Sequence, residues 1–229
     1  MRIASQKSTP NTGEAKAPRR ARGHARVASL LEAASAEFAE KGYEATTMTA
    51  IAARAGASIG SLYQFFPTKD QVAGTLIEQY VNELEAALVR LSEEVPLLDV
   101  SVVASRLTTF FVAFRTTHPA FVVLVDAQDV ALPGATGVRE RLRKGIASVL
   151  AALAPRLSVE EALFRSVVVQ HLMKAAVTLS YDASVVDHHA AMLEFQRVVE
   201  HYLEDVMEAT RGGQKIGRAS CRERVFRRV

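Results

Sequence analysis

The sequence ATTMTAIAARAGASIGSLYQFFPTKD, residues 45–70, contains two short segments of helical pattern separated by a glycine. Thr47 can accept a hydrogen bond from the free backbone N–H groups that open one helix, and Ser58 can do the same for a second. Gly56, between them, can adopt the positive φ that a tight turn needs and that a β-carbon penalises. This spacing predicts a helix-turn-helix over about residues 47–66.

The second helix of the motif divides its side chains between two faces. Leu62 and either Phe65 or Phe66 have the spacing to pack against the first short helix. The other side chains project away from that core and are candidates to enter a groove of duplex DNA. They are Ile59, Gly60, Ser61, Tyr63 and Gln64.

A long third element follows at once. Pro67 cannot continue a helix, and the run from Thr68 to Gln71 has the pattern of a capping box. Lys69 lies in the first turn, beside backbone N–H groups that favour an anion. The helix predicted from Lys69 to about Leu91 is long enough to link a small head to a larger body mechanically.

Residues 25–80 resemble the N-terminal domain of the TetR/AcrR (tetracycline-repressor) family of transcriptional regulators. The landmarks that carry the resemblance are AEKGY at 39–43, Thr46-Thr47, IA-x-x-AG-x-S at 51–58, G-x-LY-x-x-F at 60–66 and Lys69. The resemblance implies a homodimer that binds an inverted-repeat operator in double-stranded DNA and is released by a small apolar effector.

The resemblance also implies roles for individual residues. The second helix of the motif would enter the major groove, and Tyr63 and Lys69 would hold the phosphate backbone. Ile59 occupies a position that is often polar in relatives, so it could contact only a thymine methyl among base groups. The complete set of candidate DNA-binding residues is Arg19, Arg20, Arg22, Thr47, Ser58, Ile59, Gly60, Ser61, Tyr63, Gln64 and Lys69.

The segment before the motif is expected to have two parts. Residues 1–24 are rich in Ser, Thr, Pro, Gly and basic side chains and are predicted to be a disordered basic arm. Its arginines could reach phosphates or an adjacent minor groove, or the arm could merely aid solubility. A first helix is predicted from about Ala25 to Lys41, ended by Gly42, with Tyr43 expected to cover the next turn.

The rest of the chain is predicted to be helical, so the fold class is all-α, with about nine helices. A three-helix head over residues 25–70 precedes a ligand-binding and dimerisation bundle over residues 71–211. Ser158 to Glu161 form a second capping box. The predicted helices of the bundle beyond the linking helix are Val100 to Thr117, Pro119 to about Val130, Val138 to Ala152, about 159 to Tyr181, and Val185 to about Glu208.

Two further surfaces are predicted in the bundle. Aromatic side chains beside the His118-Pro119 break are either ordinary core or the lining of an apolar ligand pocket. The candidate pocket residues are Phe110, Phe111, Phe114, His118, Phe121, Gln170, His171 and Lys174. The apolar stripes of the last two helices are either intramolecular core or a dimer interface. The candidate interface residues are Phe164, Val168, Leu172, Phe195, Val199 and Tyr202.

Composition restricts the other possibilities. The run IGRASCRERV near the end resembles the translation of a sequencing adapter, so residues 214–229 are expected to be a non-native tail. This tail and the first 26 residues carry net charges of +5 and +6, and residues 27–213 therefore carry −8. The only cysteine, Cys221, lies in the tail, which leaves no disulfide or Cys-bound metal to expect. Without a leader-like or membrane-spanning run, a cytoplasmic location is predicted.

No catalytic pattern stands out. The chain lacks the P-loop, H-E-x-x-H and G-x-G-x-x-G motifs, and its paired histidines His188-His189 are expected to be solvated. No enzyme activity, metal or cofactor is therefore predicted. The alternative to a DNA-binding regulator is a protein that binds or sequesters a small molecule without specific DNA recognition.

Overall fold

The computed structural model describes residues 19–126 and 137–211. Over these ranges the chain forms nine α-helices and one 3-10 turn, with no β-strand. The all-α fold predicted from the sequence is confirmed. The helices are α1 Arg19–Ala45, α2 Met48–Arg54, α3 Ile59–Phe65, α4 Lys69–Glu94, α5 Val100–Thr117, α6 Pro119–Asp126, α7 Val138–Leu153, α8 Val159–Ser180 and α9 His188–Arg211.

The first helix begins earlier than predicted. Within the expected disordered arm of residues 1–24, residues 19–24 already belong to α1, because Arg and Ala are good helix formers and extend the helix outward from its packed part. Regular helix stops at Gly42, whose φ of 80° and ψ of 170° are not helical. The expected ending at Gly42 is therefore confirmed. Residues 1–18 lie outside the described part of the chain.

The head is held by a small apolar core. Phe38 from α1, Ile51 from α2 and Leu62 from α3 are fully buried, and Phe66 joins them just after α3. Of the two aromatics that the sequence left open, Phe66 packs inside and Phe65 is exposed. The core therefore orients α2 and α3 on α1 and fixes which face of α3 remains outside.

The linking helix α4 packs on both parts of the molecule. Near its start Val72 and Leu76 are buried against the head, and later Leu84 and Leu88 are buried in the body. α7 lies along its second half. At Gly145 of α7 the two helices are so close that a β-carbon would lie 2.7 Å from Leu88 Cδ1. The predicted head–body division at residues 70 and 71 stays a prediction, since α4 runs continuously through it.

Arg141 of α7 adds a polar clamp on the same helix. Its guanidinium donates to the carboxylates of Glu78 and Glu85 and to the amide oxygen of Asn82. The bond to Arg141 is the main reason that the pKa of Glu85 lies below its usual range. Three successive turns of α4 are thus fastened to one side chain of α7.

The last helix starts later than predicted. Ser184 was expected to precede a helix from Val185, but its hydroxyl and backbone N–H both donate to Asp182 in a local turn. The carboxylate of Asp187 accepts from the N–H of Ala190 instead, and α9 begins at His188. A side chain that satisfies a turn is unavailable as a helix cap. The tail of residues 214–229 and most of the predicted loop at 132–137 lie outside the described residues.

One helix, α8, is long and apolar enough to cross a membrane by length and composition. The α5–α6 pair passes the same test only as a segment bent by 89°. A single such helix in the described ranges is weak evidence for a membrane span.

Candidate DNA interface and effector surfaces

The turn between α2 and α3 has the geometry that the sequence predicts. Thr47 Oγ1 accepts from the N–H of Ala50 at 3.1 Å and opens α2. Gly56 has a φ of 58°, a left-handed conformation that other residues adopt at a cost. Ser58 Oγ accepts from the N–H of Ser61 at 3.2 Å and opens α3. Both predicted caps and the predicted glycine turn are confirmed.

An ion-pair network fastens α2 to α1. Arg54 of α2 donates to Glu37 at 2.7 Å and also pairs with Glu40. Lys41 donates to the other oxygen of Glu37 at 2.6 Å. The hydrogen bond from Lys41, followed by that from Arg54, holds the pKa of Glu37 below its usual value although the side chain is buried. This network keeps α2 in place behind α3.

The outer face of α3 is exposed and contains no cation. Tyr63 is 50% exposed and Ile59 39% exposed, and Gln64 is exposed beside them. The helix sequence IGSLYQF has hydroxyl, amide and apolar groups but no Lys or Arg. Such a face can donate and accept hydrogen bonds at base edges, and it relies on neighbouring elements for positive charge.

Lys69 has intramolecular partners in this structure. Its Nζ donates to the carbonyl oxygens of Tyr43 and Glu44 at 2.8 and 3.2 Å, and lies 4.3 Å from the centroid of the Tyr43 ring. The ammonium thus caps the end of α1, a contact between distant residues that the sequence pattern did not indicate. Its expected role at a phosphate stays a prediction.

Tyr43 covers the turn after α1, as expected. Its ring stacks on Phe38 with centroids 5.8 Å apart, and its hydroxyl donates to Asp70 at the start of α4. Burial, and then the bond to Asp70, raises the pKa of Tyr43 well above its usual value. The side chain is a structural link between α1 and α4.

The basic start of α1 offers the positive charge that α3 lacks. Arg22 is exposed, and so is Arg26 one helical turn further on. Arg26 was absent from the predicted DNA-binding set, and a helix that begins at Arg19 places it on one face with Arg22. The backbone of Arg19 and Arg20 belongs to the same helix.

The eight predicted pocket residues do not form a single site. Phe114, His118 and Phe121 pack ring to ring, with centroid distances of 4.5 Å from Phe114 to His118 and 5.4 Å from Phe114 to Phe121. Phe110 contacts Phe111 and Phe114 at 5.4 and 6.1 Å. These aromatics fill space together, which fits the ordinary-core alternative more closely than an open cavity.

Three of the four polar pocket candidates, Gln170, His171 and Lys174, lie on α8. Gln170 faces α7, where it accepts from Arg143 at 2.9 Å. His171 and Lys174 face outward and line an open groove of about 520 Å³ that Phe195 of α9 also borders. Gln170 is therefore engaged with α7 and apart from the groove that His171 and Lys174 line, and the single pocket that contains all of them stays a prediction.

The predicted dimer set also divides. Phe164 is 68% exposed and Val168 is exposed beside it, while Leu172, Phe195 and Tyr202 are half-buried. Val199 is completely buried within the chain and cannot contact a partner, so its assignment to the interface is wrong. Further exposed apolar side chains on the same two helices were not predicted. They are Val159, Leu163, Leu193 and Val198.

The described residues hold no group of three or more acidic, histidine or cysteine side chains arranged to bind a metal ion. His188 contacts the carbonyl oxygen of Asp182, and His201 pairs with Glu204. These histidines therefore have local partners on the surface.

Two family profiles match the chain. The profile described as "Bacterial regulatory proteins, tetR family" matches residues 30–75, and "Tetracyclin repressor-like, C-terminal domain" matches residues 99–203. The first covers most of α1, all of α2 and α3, and the start of α4, and the second covers most of the body. Along the chain, the N-terminal profile lies on the head and the C-terminal profile on the body, as in the structure.

Curated relatives match over shorter stretches. The chain is 27% identical over 128 residues to the HTH-type regulator YhgD of Bacillus subtilis, covering 56% of this chain and 65% of that protein. It is 41% identical over 63 residues to the HTH-type transcriptional repressor KstR2 of Mycobacterium tuberculosis, covering 28% of this chain and 32% of that one. The chain thus spans less than two thirds of the length of these relatives.

Solved structures share the fold. A TetR-family transcriptional regulator from Streptomyces coelicolor has a TM-score of 0.56 at 24% identity, covering 79% of this chain and 99% of that chain. The fatty acid degradation regulator FadR from Bacillus halodurans has a TM-score of 0.59 at 16% identity, covering 81% and 96%. At these identities the likeness concerns the arrangement of helices alone.

Proposed function

The chain belongs to the TetR family of transcriptional regulators, and on that premise we propose that it acts as a homodimeric repressor of an inverted-repeat DNA operator. A small apolar effector would release it. The observation that carries the DNA-binding part is the outer face of α3, presented on a capped helix after a glycine turn. The alternative, a protein that only sequesters a small molecule, would have no need for this face.

Individual contacts follow from the chemistry of the face. Ser61 and Gln64 are proposed to meet base edges, and Ile59 to meet a thymine methyl. Tyr63 and the N–H end of α3 would contact phosphates, together with the basic start of α1. Lys69 would join them by exchanging the carbonyls of α1 for a phosphate oxygen. We expect specific affinity on the order of 10⁻⁸ to 10⁻¹¹ M.

Dimerisation is proposed through the exposed apolar face of α8 and α9. Phe164 and Val168 lie on this face, and an exposed patch of this kind in a folded chain is commonly a contact surface. One recognition helix reads only a few base pairs, whereas two heads related by a two-fold axis read both halves of a palindrome.

Effector release is proposed to work through α4. Because this helix packs on the head at one end and on α7 at the other, a rearrangement in the body can change the separation of the two heads. The coupling needed is modest, about 1 to 3 kcal/mol. Since the family consists of regulators, we propose no catalytic activity, and the site of action of such a regulator would be the cytoplasm.

The test is selection of bound duplexes from a random pool by the purified protein without residues 214–229. An enriched inverted repeat, bound in gel shift in preference to shuffled duplex of the same composition, is the expected result. Enrichment of no palindrome would contradict the proposal and favour the sequestering alternative.

A further inference from the structure

Tyr80, midway along α4, places its ring among the aromatics of the body. It is 6% exposed. Its ring centroid lies 4.8 Å from that of His118, 5.9 Å from that of Phe121 and 6.4 Å from that of Phe114. We call these three partners, which flank the α5–α6 break, the aromatic cluster. The contacts to Phe114 and Phe121 are edge-to-face, a favourable arrangement for aromatic pairs.

The hydroxyl of Tyr80 points the other way, to the head. It donates to Ser35 Oγ of α1 at 2.8 Å. Burial is the main cause that raises the pKa of Tyr80, so the hydroxyl stays protonated and able to donate at neutral pH. Ser35 lies two positions before Glu37, whose carboxylate holds α2 through Arg54.

One rigid side chain therefore touches both parts of the molecule. A phenol ring has no torsion between its edge and its oxygen, so a tilt of the ring displaces the hydroxyl with it. The His118 ring, which is tilted against that of Tyr80, also approaches Glu83 of α4 at 3.1 Å, which ties the α5–α6 break to the same stretch of helix. A change in cluster packing is thereby carried to α4 and to α1 together.

We infer that Tyr80 is a positioning residue that couples the packing of the aromatic cluster to the pose of the DNA-binding head through its hydrogen bond with Ser35. The inference rests on the proposed function, because it names how the body regulates the same DNA site. α6 also packs directly on α1, and the experiment must therefore isolate the hydroxyl from that contact.

The test is a double-mutant cycle on the dissociation constant for the palindrome that the wild-type protein selects. Phe121→Leu perturbs the cluster, and Tyr80→Phe removes only the hydroxyl. The change in Kd caused by Phe121→Leu is expected to be at least about threefold smaller in the Tyr80→Phe background than in the wild type, as for contacting residues. Ser35→Ala should act like Tyr80→Phe, and Ser35→Thr, which keeps a hydroxyl, should restore the coupling.

Tyr181→Phe is the matched control. The Tyr181 hydroxyl contacts Thr116 Oγ1 at 2.7 Å, a bond that lies entirely within the body. Its combination with Phe121→Leu is expected to be additive in Kd. Thermal unfolding of every variant measures any loss of stability. A loss of coupling differs from it in the dissociation constant, because Ser35→Thr would restore the coupling but would not selectively reverse an effect of lower stability.

Additive changes in Kd for Tyr80→Phe and Phe121→Leu, with normal operator selection by the wild type, would overturn this inference and leave the proposed function intact. If Tyr80→Phe fails to fold, the Ser35→Ala and Ser35→Thr pair gives the same cycle. Failure of the wild-type protein to select any palindrome would overturn the proposed function and this inference together.

Discussion

In the proposed complex, the exposed residues of α3 would read DNA only through neutral groups. This helix carries no Lys or Arg. Base discrimination in that complex would therefore come from the Gln64 amide, the Ser61 hydroxyl and the Ile59 side chain, while charge would come from α1 and from Lys69. The two kinds of contact differ in their consequences, since phosphate contacts position the protein and base contacts specify the sequence.

Substitution of Gln64 and of Tyr63 should separate these roles. Gln64→Ala is expected to relax the preference at one base pair of each half-site, costing about 1 to 3 kcal/mol on the preferred operator. Tyr63→Phe should weaken binding to all duplexes by a similar factor. Measured affinities for a panel of single-base operator variants would decide, and an equal loss on every operator with Gln64→Ala would contradict the assignment.

Glu37 contributes to the stability of the head through its ion pairs. Its pKa is lowered in the folded state by Lys41 and Arg54. Its contribution to stability is therefore complete above the unfolded-state pKa and is lost as pH falls through the lower folded-state value.

Glu37→Gln is predicted to lower the free energy of unfolding at pH 7 and to make that free energy fall less steeply as the pH is lowered. Urea unfolding at several pH values measures both effects. Glu140→Gln is the matched control, because Glu140 also pairs with a lysine four positions away but is largely exposed. Solvent screens such a pair, so the control should change the pH profile less. Indistinguishable profiles for the two variants would count against the bracing role of Glu37.

Among the elements, α4 has the most demanding position, because it must fit α1 and α7 at once. The close approach at Gly145 leaves no room for a β-carbon beside Leu88, and Arg141 fastens the neighbouring turns. These contacts pack the body end of α4 closely on α7, as a mechanical link requires.

Gly145→Ala is expected to destabilise the protein by about 1 to 3 kcal/mol through overpacking, although alanine is the better helix former. Gly23→Ala is the control, since nothing lies within 4 Å of the added carbon. Chemical denaturation measures both. A gain in stability for Gly145→Ala would show that α4 and α7 separate easily and would contradict a rigid contact.

The elements that the sequence predicted well are those that depend on local chemistry. Thr47, Gly56 and Ser58 each act within a few residues, and the Ser158 capping box before α8 is present as expected. Contacts between distant residues were not visible. Lys69 meets carbonyls at the end of α1, and Val199 turns into the core of its own chain, because tertiary packing decides which side of an apolar stripe is covered.

At the scale of the whole molecule, α8 and α9 expose apolar side chains while being tied together internally. Arg165 of α8 is buried and donates to Asp205 of α9 at 3.3 Å. The hydroxyl of Tyr202 lies beside Arg165, and burial is the main reason that its pKa is raised. The pair is thus braced within one chain, and in the proposed dimer it would present a preformed outer face to a second copy.

Phe164→Asp is expected to convert the dimer into a monomer and to weaken operator binding by about a hundredfold or more, because the second head is no longer linked to the first. Leu97→Asp is the control, since Leu97 is 89% exposed in the 3-10 turn after α4, far along the chain from α8. Sedimentation equilibrium and gel shift report the two effects. A Phe164→Asp protein that stays dimeric would exclude this face as the interface.

In the proposed complex, two α3 helices held by one dimer enter the major groove of the same duplex. The most direct test is operator affinity as a function of the spacing between the selected half-sites. Insertion of about 5 base pairs, half a helical turn, should abolish tight binding because it turns one half-site to the opposite side of the duplex. Affinity that does not depend on this spacing would contradict the claim.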